Sequence, residues 1–417
     1  MTEGEAVPEP AVKAMATEPP PYVPNSELLT RLTGGLLLAL VLTCWPLFTA
    51  RSLPHVGFFS VPDLAHLCLA AVLALLSTLL MVGGGPKRLR WVTAAVLTLC
   101  LVTDELRGQP WAFEIGAFLI LLAACTAEKA RAGMQIYLVG LYVWAGLHKA
   151  QGEFIDRVVP WFFEPFDLEL SESTALVVGS GIILAEAGAG LALLVKRLRR
   201  VAVCILLATH LGVLVVLGPW GHDWDLNVWP WNVGQAVLVS VLFWSDRQSG
   251  LRLLNRAPRS LTFFAVCLPV LHLGAWWPAN LSHALYAGNY AQPGFLVRHD
   301  SAASVMRGGQ RNYFAPGLPP PIREVLQGVE PRDAKTDWGL MRVHDWAVTD
   351  LGATIPPDAR IARRLFYAFC QRSKGPDELL LVMRPKRVPW VAEDMVRIEN
   401  CNGEEVGRQP LPASWPR

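Results

Sequence analysis

The chain has 417 residues, of which 52% are hydrophobic and only 17% are charged, and its formal net charge is +2. An average soluble domain carries about 25% charged residues, so this composition excludes a disordered chain and argues against an ordinary soluble enzyme. The near-neutral net charge gives no reason to expect nucleic acid as a partner. We therefore expect the lipid bilayer to be the main partner of this chain, and the sequence identifies no protein partner.

The first 28 residues are polar and rich in proline and glutamate. Such a segment cannot bury enough apolar surface to fold, and we predict a disordered cytoplasmic tail at 1–28. No apolar stretch follows a basic start, so a cleavable signal peptide is not expected. The first apolar run begins near Leu32 and is long enough to be a membrane span.

Apolar runs recur through the next 250 positions and predict an all-α polytopic membrane domain at 29–277. A helix needs roughly 20 apolar residues to cross a bilayer. The nine predicted spans are 30–50, 62–82, 91–106, 110–126, 134–150, 174–195, 200–219, 228–245 and 261–277. The third and fourth are short and weakly apolar, and a re-entrant pair is the alternative for them.

Basic residues divide the predicted loops into two sets. Alternate connections, starting after the second predicted span, carry thirteen basic residues: Lys87, Arg88, Arg90, Lys129, Arg131, Lys196, Arg197, Arg199, Arg200, Arg247, Arg252, Arg256 and Arg259. The opposite connections carry four: Arg51, Arg107, Lys149 and Arg157. Because basic loops stay in the cytoplasm, we expect a cytoplasmic N-terminus and a C-terminus outside, in the inner (cytoplasmic) membrane of a bacterium. The endoplasmic reticulum is the alternative location.

The C-terminal segment, 278–417, has shorter apolar runs and more charge than the rest of the chain. Apolar periodicity predicts helices at 336–351 and 358–372 and short strands at 378–383 and 395–398. We therefore predict a small α+β domain outside the membrane.

Two of the eight cysteines, Cys370 and Cys401, lie in this C-terminal segment. On the oxidising side of a membrane two thiols can form a disulfide. We predict a Cys370–Cys401 disulfide, and a pair of free buried thiols is the alternative. The other six cysteines lie within or at the ends of predicted spans, where we expect them to act as small apolar residues.

Ionisable residues in the predicted spans are the candidates for function, because a charge in a bilayer is costly. His148 and Lys149 end the fifth predicted span. A partly desolvated lysine can act as a base, and the alternative is a lysine that reaches the surface and anchors the helix end. Glu186 and His210 lie midway along the sixth and seventh predicted spans, where they could pair and relay a proton or form only a structural hydrogen bond. The predicted catalytic set is Lys149, His148, Glu186 and His210.

Other polar side chains share the predicted depth of Lys149 near the outer face. Five are expected to line, together with Lys149, one pocket that opens outward: Asp63, His66, Glu114, Asn227 and His272. The loop before the eighth predicted span contains His222, Asp223 and Asp225. Adjacent groups in one loop are a weak signal for a metal, and we predict no metal site.

The stretch 134–245 has a distinctive order of segments. A helix ends in AGLHKAQGEF and is followed by the amphipathic VVPWFFEPF, a helix with Glu186, a basic loop, a helix with His210, and VWPWN. This order resembles the HTTM family, the transmembrane domain shared by vitamin K-dependent gamma-carboxylase and its bacterial relatives, and is more weakly similar to the smaller DoxX-like membrane proteins. The resemblance implies that Lys149 is a catalytic base at the outer face and that a reduced quinone and oxygen take part. The C-terminal segment is much smaller than the outer domain of the carboxylase and has no match to its substrate-docking region.

The sequence favours an enzyme that binds a lipid-soluble quinone between helices, either a quinone-linked oxidoreductase or a carboxylase-like enzyme. The predicted cofactor-binding residues are Trp144, Trp161, Asn227 and Trp231, since aromatic rings can pack on a flat quinone ring. A proton-coupled transporter and a non-catalytic membrane scaffold are the alternatives. The span pattern contains no internal repeat that would favour a transporter.

Overall fold

The computed structural model describes residues 25–49, 51–246, 248–306, 312–328, 337–388 and 395–412. Helices dominate the chain as far as residue 274, and an antiparallel sheet with short helices forms the C-terminal region. Most of the tail predicted at 1–28 lies outside the described residues. The first helix begins at Ser26, so the last three positions of that predicted tail are helical instead of disordered.

Local signals in the sequence set several helix ends. The side chains of Asn25, Thr126 and Ser171 each accept a hydrogen bond from a backbone N–H in the first turn of a helix. Gly84 ends a helix with a φ of 66°, a left-handed conformation that favours glycine. The helices of this part are α1 (Ser26–Thr43), α2 (Trp45–Phe48), α3 (Asp63–Gly83), α4 (Lys87–Thr103), α5 (Pro110–Ala124), α6 (Ala127–His148), α7 (Val159–Phe163), α8 (Glu172–Ile183), α9 (Ala189–Ala192), α10 (Arg199–Leu217), α11 (Val228–Phe243), α12 (Gly250–Arg256) and α13 (Arg259–Thr262).

Several stretches depart from α-helical geometry, among them the π-helical turn Phe154–Val158 that leads into α7. A π-helical turn at Leu184–Gly188 joins α8 to α9, so that the run is continuous. A further π-helical turn, Phe263–Cys267, follows α13 and leads into the 3-10 helix Leu268–Gly274. π-helical turns inside helices occur frequently at functional sites.

Within the described residues, four helical segments are long and apolar enough to cross a membrane: α1, α3, the run Glu172–Ala192 and α10. A fifth is added only if Gly250–Arg256 and Arg259–Gly274, which meet at 116°, count as one bent span. The predicted number of nine spans is therefore not supported. Helices do lie at the other predicted positions, but α5 and α11 have only 15 and 16 residues, and α4 begins with the basic sequence KRLR.

The surroundings of helix α6 explain why the number of spans in this bundle cannot be obtained from apolar runs alone. It has 22 residues, and most of them are buried against other helices. Close approach depends on glycine: a Cβ added at Gly146 would lie 2.6 Å from the amide nitrogen of Ala187, and one at Gly190 would lie 2.9 Å from that of Val143. A helix surrounded by protein can carry small and polar side chains that a lipid-facing helix cannot.

The two ends of the bundle differ in chemistry. At one end the guanidinium groups of Arg131 and Arg199 lie 3.6 Å and 3.3 Å from the carboxylate of Asp246, and Arg256 lies 3.7 Å from Glu128. The C-terminal region packs on the opposite end, where α1, α4, α6 and α10 finish. The basic loops and the C-terminal region are therefore on opposite sides of the bundle.

The C-terminal region is built on a six-stranded antiparallel sheet with the order β2-β3-β1-β4-β5-β6. Its strands are β1 (Gln292–Arg298), β2 (Phe314–Ala315), β3 (Trp338–Met341), β4 (Leu379–Arg384), β5 (Met395–Asn400) and β6 (Glu405–Pro410). Its helices are α14 (Ala302–Val305), α15 (Pro320–Gln327), α16 (Val343–Leu351) and α17 (Ala359–Cys370). In the centre of the sheet Leu296 of β1 lies opposite both Leu340 and Leu380.

The helix predicted at 358–372 and the strands predicted at 378–383 and 395–398 are confirmed by α17, β4 and β5. The helix predicted at 336–351 is wrong in its first part, where β3 precedes α16. Four apolar residues fit a strand as well as a helix, and the backbone of this segment bonds to β1 instead of to itself.

The C-terminal region is joined to the bundle by a shared core and by polar contacts. One cluster of buried apolar side chains extends from Leu37 and Leu40 of α1 to Trp346 and Phe366 of the C-terminal region. Arg364 of α17 lies 2.6 Å from the carboxylate of Glu105.

A second ion pair and a disulfide hold this region in place. The buried Arg384 guanidinium at the end of β4 lies 3.0 Å from the carboxylate of Glu153, which follows α6 in the chain. Cys370, at the end of α17, forms a disulfide with Cys401, and their Cα atoms are 5.5 Å apart. These are the two cysteines that the sequence predicts as partners.

Candidate functional site

A cavity of about 420 Å³ lies between α6, α8, α10 and α11. This volume is within the range of small-molecule sites, which are mostly apolar and carry a few polar groups. Its lining is dominated by aliphatic and aromatic side chains, among them Phe162, Phe163, Val213 and Leu285. The polar side chains in the lining are Tyr142, Lys149, Glu186, Thr209, His210, Asn232, Gln235 and Tyr286.

Lys149 and Glu186 form a buried pair in this cavity. Lys149 is the C-terminal cap residue that follows α6, and Glu186 lies in the π-helical turn between α8 and α9. The Nζ atom of Lys149 donates to Oε2 of Glu186 at 2.6 Å and to the carbonyl oxygen of Ala145 at 3.2 Å. A contact this short is a charge-assisted hydrogen bond, and it gives a proton two neighbouring sites, the amine and the carboxylate.

His210 is held by a separate chain of hydrogen bonds. The Nδ2 atom of Asn232 donates to the carbonyl oxygen of Val228 at 2.7 Å, which leaves Oδ1 of Asn232 as the acceptor for Nδ1 of His210 at 2.8 Å. The other ring nitrogen, Nε2, is 2.8 Å from the hydroxyl of Tyr142. This chain is satisfied by a neutral imidazole that has its proton on Nδ1 and accepts from Tyr142.

A third polar group lies where α5 meets α11. Oε2 of Glu114 accepts from the indole Nε1 of Trp231 at 2.8 Å and from Nε2 of Gln235 at 2.5 Å. Since Nε2 of Gln235 donates to Glu114, the other atom of that amide, Oε1 of Gln235, is left as an acceptor. This buried oxygen has no hydrogen-bond partner among the described residues. Gln235 lines the cavity, so a ligand hydroxyl could satisfy that acceptor.

The loop that follows the helical part adds an aromatic wall. Tyr286 lines the cavity and lies edge-on to the ring of Phe162, with centroids 6.3 Å apart. Burial, together with the nearby Asp225, raises the pKa of the Tyr286 phenol well above its usual value. Tyr286 therefore stays protonated at neutral pH.

The four predicted catalytic residues divide between two environments. Lys149, Glu186 and His210 all line the cavity, as one site requires. The direct Glu186–His210 pair is absent, since Glu186 bonds to Lys149 and His210 bonds to Tyr142. His148 lies outside the cavity.

The surroundings of His148 are aromatic. Its ring stacks on Trp144 at 5.3 Å between centroids and meets His272 edge-on at 5.0 Å. One helix position separates His148 from Lys149, and this rotates the two side chains to different sides of α6.

Of the four predicted cofactor-binding residues, only Trp231 lines the cavity. The indole of Trp144 donates to the carbonyl oxygen of Val266 at 2.8 Å. Trp161 stacks on His222 at 4.0 Å between ring centroids. The amide of Asn227 donates to Asp225. These three side chains do not line the cavity.

Of the six residues predicted to line one outward pocket, Lys149 lines this cavity and the other five do not. His66 lies 3.0 Å from a guanidinium nitrogen of Arg107, and His272 lies 2.9 Å from the carbonyl oxygen of Trp277. No group of three or more His, Cys, Asp and Glu side chains in the described ranges is arranged to hold a metal ion.

Sequence reasoning missed Tyr142 and Gln235, and did not assign a role to Asn232. Tyr142 lies seven positions before Lys149, two helical turns away on the same face of α6, and this spacing was a usable signal. Gln235 and Asn232 are one turn apart on α11, in the same way. No family model, curated protein or solved structure matches this chain.

Proposed function

We propose that this chain is an integral membrane protein that binds a lipid-soluble quinol in the cavity between α6, α8, α10 and α11 and removes a proton from it. The chain would be a quinone-linked oxidoreductase or a carboxylase-like enzyme of the HTTM type. The observation that carries the proposal is an apolar cavity lined by the Lys149–Glu186 pair and by Gln235, whose Oε1 atom has no hydrogen-bond partner among the described residues. A quinol has the matching parts: an apolar ring and hydroxyl groups that donate.

Different cavity residues would bind the quinol and accept its proton. Oε1 of Gln235 would accept a hydrogen bond from one hydroxyl and so orient the ring. The Lys149–Glu186 pair would receive the proton of the other hydroxyl as its O–H bond breaks, and the shared hydrogen bond would spread the gained charge over two groups. When bound, a quinol supplies the reducing equivalents. The apolar walls would exclude water from the oxygen that loses its proton.

His210 has a supporting role in this proposal. It accepts from Tyr142 and donates to Asn232, so it holds two cavity side chains in place. It would not exchange a proton with Glu186 directly, because both of its ring nitrogens already bond to Tyr142 and Asn232.

The orientation of the chain is part of the proposal. We infer an inner-membrane location with the basic end of the bundle in the cytoplasm and the C-terminal region outside, because basic loops stay inside. The Cys370–Cys401 disulfide supports an oxidising compartment for that region. Alkaline phosphatase fused to the C-terminal end of the chain should be active, and an inactive fusion would reverse the orientation.

The first experiment is mass spectrometry of the lipids that co-purify with the detergent-solubilised protein. Wild type is compared with Lys149→Ala and with Lys196→Ala, a control lysine that is exposed at the basic end of the bundle. We expect about one quinone per chain in all three proteins, and loss of quinol deprotonation only in Lys149→Ala. A wild type with a normal fold and no quinone would overturn the proposal.

A proton-coupled transporter is the second candidate, favoured by the buried carboxylates Glu114 and Glu186 inside the bundle. Vesicles loaded with a pH-sensitive dye distinguish the two. Proton flux that depends on Glu186, in protein free of quinone, would favour the transporter.

A further inference from the structure

Two exposed glycines line the cavity from two different helices. They are Gly181 of α8 and Gly212 of α10. A Cβ added at either position would meet no atom of the described residues within 4 Å. The cavity is therefore open beside these two glycines, and no side chain at either position closes it.

The surroundings of this opening are apolar on both sides. Both helices belong to segments long and apolar enough to span a membrane. Val177 and Leu184 on the α8 side and Leu211 on the α10 side are 72%, 70% and 63% exposed. Large aliphatic side chains at this exposure face acyl chains in a bilayer.

The walls between the opening and the polar groups are also apolar. Val178 and Ile182 extend along α8, and Val213 and Val216 extend along α10. α10 contributes two polar residues to the lining. The ring nitrogens of His210 bond to Tyr142 and Asn232, and the hydroxyl of Thr209 donates to the carbonyl oxygen of Ile205 at 3.0 Å. A hydrocarbon chain could lie here without leaving a wall hydrogen bond unmade.

We propose that this opening, the α8–α10 portal, admits the ligand sideways from the bilayer and holds its hydrocarbon tail while the ring lies near Lys149 and Gln235. This inference rests on the proposed function and specifies its ligand as a quinol with a long aliphatic tail. A cavity of about 420 Å³ accommodates the ring, and the tail continues through the portal into the lipid.

The test narrows the portal without touching the polar groups. Gly181→Leu and Gly212→Leu place side chains in the opening, and Gly181→Ala and Gly212→Ala leave most of it free. Gly188→Leu is the matched control, because Gly188 is an exposed glycine of the same helical run with an equally open Cβ position but does not line the cavity. Thermal unfolding of each variant establishes that it folds.

The proteins are placed in lipid nanodiscs and titrated without oxygen with two probes, a benzoquinol with a decyl tail and the same benzoquinol without a tail. Binding is followed by isothermal titration calorimetry, with empty nanodiscs as the blank. We expect each leucine portal variant to weaken binding of the decyl probe by about tenfold or more, while the tailless probe, the alanine variants and the control stay near wild type.

The outcomes separate the two proposals. Equal loss of both probes in the portal variants would mean that leucine fills the ring site, and the portal would be rejected. Unchanged binding of the decyl probe in the folded leucine variants would also reject the portal. A wild type that binds neither probe would instead reject the proposed quinol site.

Discussion

Asp225 joins the bundle to the C-terminal region through a buried carboxyl group. It is 4% exposed and accepts hydrogen bonds from Nδ2 of Asn227 at 2.5 Å and from the hydroxyl of Thr354 at 3.1 Å. Burial raises the pKa of Asp225 to about 7, although the hydrogen bonds from Thr354 and Asn227 oppose the shift. In the unfolded chain the pKa of an aspartate is about 3.9.

The raised pKa fixes the sign of the pH dependence. Between about pH 4 and pH 7 the folded protein keeps a proton that the unfolded chain has lost, so the free energy of unfolding falls as the pH rises. At about 1.4 kcal/mol per pKa unit, the shift of about three units lowers that free energy by about 4 kcal/mol at pH 8. With about 2 cal/mol/K of unfolding entropy per residue, this corresponds to about 5 °C in Tm for a chain of this length.

We expect Asp225→Asn to prevent the fall in the free energy of unfolding at high pH, because an amide stays neutral. Asparagine also tolerates the φ of 56° at this position. The variant should match wild type at pH 4 and unfold about 5 °C above it at pH 8, measured by tryptophan fluorescence in detergent. Asp223→Asn is the control, since Asp223 is exposed and has a φ of 47°. A shift of the same size at both pH values, or the same shift in the control, would refute the argument.

Three further predictions test the framework around the site. Replacement of Cys370 and Cys401 by serine should lower the free energy of unfolding by about 3–4 kcal/mol, the loop entropy for their separation of 31 residues, and reductant should then no longer change Tm. Glu153→Gln should destabilise the protein by about 3 kcal/mol or more, because Arg384 would keep a buried charge without its partner; faster hydrogen exchange in β1 and β4 would report this loss, and unchanged exchange would contradict it. Gly146→Val should separate α6 from the π-helical turn, cost about 1–3 kcal/mol, and abolish ligand retention; a stable variant that keeps bound lipid would show that this helix contact is not needed.

The sequence by itself determined most helix positions. A helix satisfies its backbone groups within one segment, so apolar runs and capping residues such as Asn25, Thr126 and Gly84 mark where it begins and ends. The number of spans did not follow, because α6 is buried in protein and needs no continuous apolar surface. The sequence also predicted which loops carry most of the basic residues.

Partner choice in the candidate site was decided only by the tertiary structure. The sequence placed Lys149 near the outer face and Glu186 and His210 midway along their helices, but in the structure Glu186 bonds to Lys149 and His210 bonds to Tyr142 and Asn232. The step of one helix position from Lys149 turned His148 out of the cavity.

The pairing of the strands was also decided by the tertiary structure. β1 pairs with β3, which comes 40 residues later, and with β4, which comes after α17, and these pairings assigned the segment before α16 to a strand. Local sequence determines which groups can bond to near neighbours. Contacts between distant segments depend on how the helices and strands pack, and the candidate site is made of such contacts.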